Sequence, residues 1–79
     1  MQRINVIYTN DKTLTYNKRI KINKEQILFT SLISISYDTK NLWMVNIQVP
    51  GFEFILADED FEKMEFTSIE KAEQAIDEL

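Results

Sequence analysis

The residues best equipped for chemistry in this chain are its carboxylates. Asp58, Glu59, Asp60, Glu62 and Glu65 fall within eight positions, and Glu70, Glu73 and Asp77 follow shortly after. Such a run can do one of three things. It can hold a hard cation through carboxylate oxygens, present a line of negative charge to a basic partner, or keep a surface solvated. The spacing of a calcium loop, with alternating acids, a glycine and a closing glutamate, is absent. A charged run that imitates nucleic-acid phosphates would fit a basic groove on another protein. The solvated surface is the more ordinary use of acidic side chains.

Catalysis has little to work with. There is no His and no Cys, which removes the commonest general bases, the thiolate nucleophile and most transition-metal ligand sets. A chain with one Gly cannot build a glycine-rich phosphate loop. The expectation is a non-enzymatic protein with no cofactor and no metal.

A second charged group lies earlier. Lys18, Arg19, Lys21 and Lys24, with Tyr8 and Tyr16 nearby, could meet phosphates and stack bases. The sequence pI of about 4.7 argues against nucleic acid, because such affinity depends on net phosphate neutralisation. Lysines on an exposed strand also discourage edge-to-edge pairing, which is the simpler reading.

The elements that must position these residues are legible from periodicity. Ile33, Ile35 and Tyr37 alternate with serines, and Trp43, Val45, Ile47 and Val49 alternate with Met44, Asn46 and Gln48. That is the period of a strand. A three-residue loop, Thr39, Lys40 and Asn41, would pair Tyr37 with Trp43, Ile35 with Val45 and Ile33 with Ile47, with Asn41 left-handed. On this register Trp43 belongs to the core, while Leu32, Leu42 and Met44 sit on the other face and call for cover from this chain or a second subunit.

Ile4, Val6 and Tyr8 read as an earlier strand, Asn10, Asp11 and Lys12 as its turn, and Leu14 and Tyr16 as the return strand. Lys18 interrupts the alternation before Ile20 and Ile22, so a bulge or break is expected near Asn17 and Lys18. Asn23 and Gln26 have cap spacing, so residues 24–32 read either as a short helix with Ile27, Leu28 and Leu32 on one face or as one turn over Lys24–Gln26 and then a strand, and the turn and strand are the preferred reading. Pro50 and Gly51 end a strand, and Phe52, Phe54 and Leu56 begin another. Residues 57–63 read as a loop or a single helical turn, and Met64 and Phe66 as a brief strand or an apolar lead-in.

From Thr67 the period becomes helical. Thr67 and Glu70 form a capping box, and Ile69, Ala72, Ile76 and Leu79 make one stripe with Ala75 beside it. Glu70, Lys71, Glu73, Gln74, Asp77 and Glu78 face outward. A helix this short persists only when docked. The fold expected is α+β: a single small domain over residues 1–79, an antiparallel β-meander of about five strands with one C-terminal α-helix packed on the sheet.

Hydrophobic residues make up 44% of the chain, enough to fold. At 79 residues the core is small, so a homodimer or a tight partner would help it. No apolar run is long enough to span a membrane, and the first residues lack a signal-peptide pattern, so a cytoplasmic protein is expected. Ile, Asn and Lys supply 24 residues while Ala, Gly and Pro supply 5. That bias follows AT-rich codons and points to a low-GC bacterium, its phage or another mobile element.

Charge divides along the chain: residues 1–49 carry net +4 and residues 50–79 net −8. The reading that follows is a small interaction or regulatory module binding a basic protein through Asp58, Glu59, Asp60, Glu62, Glu70, Glu73 and Asp77. Its rivals are a nucleic-acid module using the basic strand, and a structural self-associating protein.

Overall fold

The computed structural model describes residues 2–9 and 17–79. Within them lie β1 (Arg3–Thr9), β2 (Asn17–Asn23), a 3₁₀ turn (Lys24–Gln26), β3 (Phe29–Tyr37), β4 (Lys40–Val49), β5 (Phe52–Leu56) and α1 (Ile69–Asp77). All strand pairings are antiparallel, in the order β2-β1-β5-β4-β3. This is the expected α+β architecture, five antiparallel strands and a C-terminal helix. Strands β3, β4 and β5 run as the meander, and the β1–β2 hairpin joins it through β5.

The β2–β3 connection dictates the shape of the sheet. Laid flat, the pairing register would put Asn23 and Phe29 four strand spacings apart, about 19 Å, and six residues apart along the strands, about 20 Å. The six Cα steps that join them reach at most about 23 Å, less than that diagonal. The sheet must therefore twist and curl enough to shorten that diagonal, and α1 packs on its concave face against β3 and β4. Lys24 Nζ ties the helix end to the sheet, donating to the carbonyl of Leu79 at 2.9 Å and to Gln2 Oε1 at 2.7 Å. A cation at the helix C-terminus also suits the helix dipole.

The inner face holds the core. Val6, Ile22, Val45, Ile47, Val49, Phe54 and Leu56 are buried there, with Leu32, Met64, Phe66, Ala75, Ile76 and Leu79 packed against them. Ala72 is fully buried, whereas Ile69 remains 41% exposed. The expected stripe thus begins one turn later, because Ile69 is the first helical residue and precedes the docked turn. The cap is Ser68, whose Oγ accepts from Lys71 N at 3.3 Å, one residue beyond the predicted Thr67.

The central hairpin differs from its expected register. Tyr37 pairs with Lys40, Ile35 with Leu42, Ile33 with Met44, Leu32 with Val45 and Thr30 with Ile47. The loop is two residues, Asp38 and Thr39, with Asp38 left-handed at φ 52° in place of Asn41. Ile33 and Ile35 consequently share the outer face with Leu42 and Met44, and Leu32 joins the core. Trp43 lies on the inner side by parity but is only half-buried at the sheet's end.

Strand β5 leaves β4 beyond Asn46 to follow β1, where Ala57 N donates to the Asn5 carbonyl at 2.9 Å. Residues 63–66 fill the gap. Met64 N bonds the Leu56 carbonyl, and Trp43 and Phe66 exchange two bonds of 2.8 Å. The brief strand reading of Met64 and Phe66 is therefore the closer one. The Pro50-Gly51 turn has Gly51 at φ 83°, the left-handed position of a type II turn.

In the β1–β2 hairpin the pairing runs unbroken from Arg3↔Asn23 to Thr9↔Asn17. The break expected near Asn17 and Lys18 is absent, because Lys18 falls opposite Tyr8 at the sheet's end, where a charged side chain reaches water. The expected turn at Asn10, Asp11 and Lys12, and the strand through Leu14 and Tyr16, lie outside the described residues. The 3₁₀ turn stands as predicted, with Asn23 N donating to Gln26 Oε1 at 3.2 Å.

Candidate functional site

The acidic run is a closed loop rather than an open string of charges. Ala57 and Lys63 bridge its base, Asp58 N donates to the Glu62 carbonyl at 2.9 Å, and Phe61 N donates to the Asp58 carbonyl at 3.1 Å. Inside it, Asp58 Oδ1 accepts from Asp60 N at 2.8 Å and Glu62 N at 3.0 Å. An Asp that accepts from amides two and four residues on holds its own turn. Phe61 takes a left-handed φ of 59°, a conformation that costs a bulky residue about 1–2 kcal/mol.

Two side chains on the outer face of the sheet anchor this loop. Asn5 Nδ2 donates to the Asp58 carbonyl at 3.0 Å, and Arg19 Nε donates to the Phe61 carbonyl at 3.2 Å. Arg19 Nη2 also lies 3.9 Å from Glu62 Oε1, with half or more of both side chains exposed. That ion pair contributes little. Asn5 and Arg19 alternate with Val6 and Ile20, which face the core, so the loop folds against the side of the sheet opposite α1.

The seven candidate contact residues therefore do not form one surface. Asp58, Glu59, Asp60 and Glu62 share the loop, where Asp58 is half-buried and spent on the turn and Glu62 leans toward Arg19. Glu59 and Asp60 are exposed. Glu70, Glu73 and Asp77 lie on the outer side of α1, all exposed, and among the described residues no ion pair engages them. Their spacings of three and four place them on one helical face. Arg3, Asn5, Ala57, Asp58, Glu59 and Asp60 line an open cleft beside the loop.

The basic residues are also divided. Lys24 closes the helix end and Arg19 holds the loop, while Lys18 and Lys21 are exposed on opposite faces of β2. Among the described residues no three His, Cys, Asp or Glu side chains are grouped as a metal would require, and no helix is long and apolar enough to cross a membrane.

Sequence reasoning missed Asn5, whose role depends on a loop 53 positions away. It also missed the apolar rim at one end of the sheet, where Leu28, Phe29 and Phe52 are 62%, 57% and 59% exposed. Phe52 stacks on Phe54, and Tyr8 meets both rings edge-on at 6.3–6.4 Å. The adjacent pair Leu28-Phe29 carried a signal, since neighbours on a strand cannot both face the core.

No protein-family model matches the chain, and no curated protein or solved structure is significantly similar to it.

Proposed function

We propose that this chain is a non-enzymatic protein-binding module whose contact surface is the acidic outer face of α1, centred on Glu70, Glu73 and Asp77. The observation that carries this reading is the contrast between the two acidic groups. In the loop, Asp58 is drawn into the chain's own hydrogen bonds and Glu62 toward Arg19, which leaves Glu59 and Asp60, whereas all three helical carboxylates are exposed and outside any ion pair among the described residues. Charge held on a docked helix forms a fixed field that steers a basic partner and sets its orientation. Glu59 and Asp60 serve as a secondary contact for a partner that reaches round the sheet.

The residue bias toward AT-rich codons supports a source in a low-GC bacterium or one of its mobile elements, and the reading proposed for the chain there is an accessory or regulatory role in the cytoplasm. Reversing Glu70, Glu73 and Asp77 to Lys should abolish capture of the partner from such a lysate. Reversing Glu59 and Asp60 should weaken it only modestly. Capture that survives the helix reversal and fails in the loop reversal would transfer the site to the loop.

A further inference from the structure

Of the two edges that the sheet leaves open among the described residues, β2 and β3, only β2 is guarded. It carries Lys18, Arg19 and Lys21 within seven residues, and cations on an edge oppose pairing with another strand. β3 is nine residues, FTSLISISY, without a charge, a proline or a glycine. The uncharged stretch runs through residues 26–37. An edge strand presents a row of N–H and C=O groups, and among the described residues β3 pairs with β4 alone.

The outer face beside that edge is apolar as well. Ile33, Ile35, Leu42 and Ile55 are half-buried around Met44, and α1 covers the other face. Edge and patch together make a surface that is open in its main chain and apolar on its flank.

We propose that β3 is a self-association edge, on which a second copy of the chain pairs β3 against β3, antiparallel, about a two-fold axis near Ile33. The two sheets then continue as one. Charge and symmetry select a second copy as the occupant. The chain carries a net charge of −4, so two copies repel over much of their surface. Along β3 an uncharged strand meets its own uncharged strand, and a two-fold axis makes every contact twice.

Centred on Ile33, the pairing sets Ile33 opposite its own copy and Ile35 opposite Ser31. The apolar strips of the two chains merge on the outer face. Pairing β2 with β2 would instead oppose lysines and arginine, and pairing β2 with β3 would be head-to-tail and open-ended.

The test is molar mass by light scattering and sedimentation from micromolar to near-millimolar protein. It is joined to single-cysteine cross-linking, which the absence of native cysteine makes unambiguous. The mass should rise to twice the 9.4 kDa of the chain. Ser34→Cys on β3 should yield a covalent dimer with a short bis-maleimide, to which each thiol adds without an oxidant, and Lys21→Cys on β2 should not. Ser34→Lys, at an exposed position, should hold the protein at monomer mass with an unchanged far-ultraviolet spectrum. Monomer mass at every concentration, or equal cross-linking at both edges, would overturn the proposal. If Ser34→Lys fails to fold, the cysteine pair still decides.

Discussion

Replacing Asp58 with Ala tests whether the acidic loop is built by its own first carboxylate. The substitution removes the acceptor of two backbone N–H groups, those of Asp60 and Glu62 at 2.8 and 3.0 Å. Each such bond contributes about 0.5–1.5 kcal/mol net. Asp60 and Glu62 are exposed, so their amides can turn to water, which keeps the total in the lower half, about 1–2 kcal/mol. For a domain of this size each kcal/mol moves the midpoint by about 4–8 °C, which predicts a Tm lower by about 4–16 °C. Asp58→Asn keeps one oxygen where Oδ1 stands and should lose clearly less. Glu59→Ala, at an exposed neighbour that makes no such bond, should stay within about 4 °C of the parent. Thermal unfolding followed by circular dichroism reads all three. Equal midpoints for Asp58→Ala and Glu59→Ala would show that the carboxylate does not hold the turn, and Asp58 would return to the set of free contact acids.

Other consequences are more local. Ile47→Ala empties a fully buried site at the centre of the core and should cost about 2–5 kcal/mol, read as a lower denaturation midpoint with a similar denaturant slope. Asp38→Gly relieves a left-handed residue in the β3–β4 loop and should raise Tm, whereas Asn41→Gly weakens a strand and removes the 2.8 Å Ser36–Asn41 contact, lowering it. The opposite pair of signs would favour the three-residue loop and its register. Gly51→Ala meets no atom within 4 Å, so its loss should be only the backbone cost of φ 83°, about 1–2 kcal/mol by urea unfolding.

The sequence carried the elements better than their pairing. Strand alternation, the Pro50-Gly51 stop, the Lys24–Gln26 turn and the late helix all follow from local chemistry, with the helix cap one residue beyond its predicted place. The hairpin register did not follow, because β3 and β4 are apolar on both sides. Leu32 beside Ile33, and Trp43 and Val45 beside Leu42 and Met44, leave alternation unable to say which set faces the helix. Asp38 adopting the left-handed position moved the turn and exchanged the faces of β3.

The site was legible only as composition. Nothing near residues 58–62 announces that Asn5 and Arg19 will bind their carbonyls, since those contacts span 53 and 42 positions. The charge division between the chain's halves had a structural outcome as well, because Arg19 and Lys24 from the basic half bind carbonyls of the acidic half.

The acidic face of α1 is tested most directly by affinity capture of the tagged chain from a low-GC bacterial lysate, split into nuclease-treated and untreated halves and read by mass spectrometry. A basic protein should be recovered equally from both halves and lost when Glu70, Glu73 and Asp77 are reversed to Lys. Nucleic acid in the untreated half, or proteins that vanish on nuclease treatment, would contradict this assignment and move the contact to the strand bearing Lys18 and Lys21.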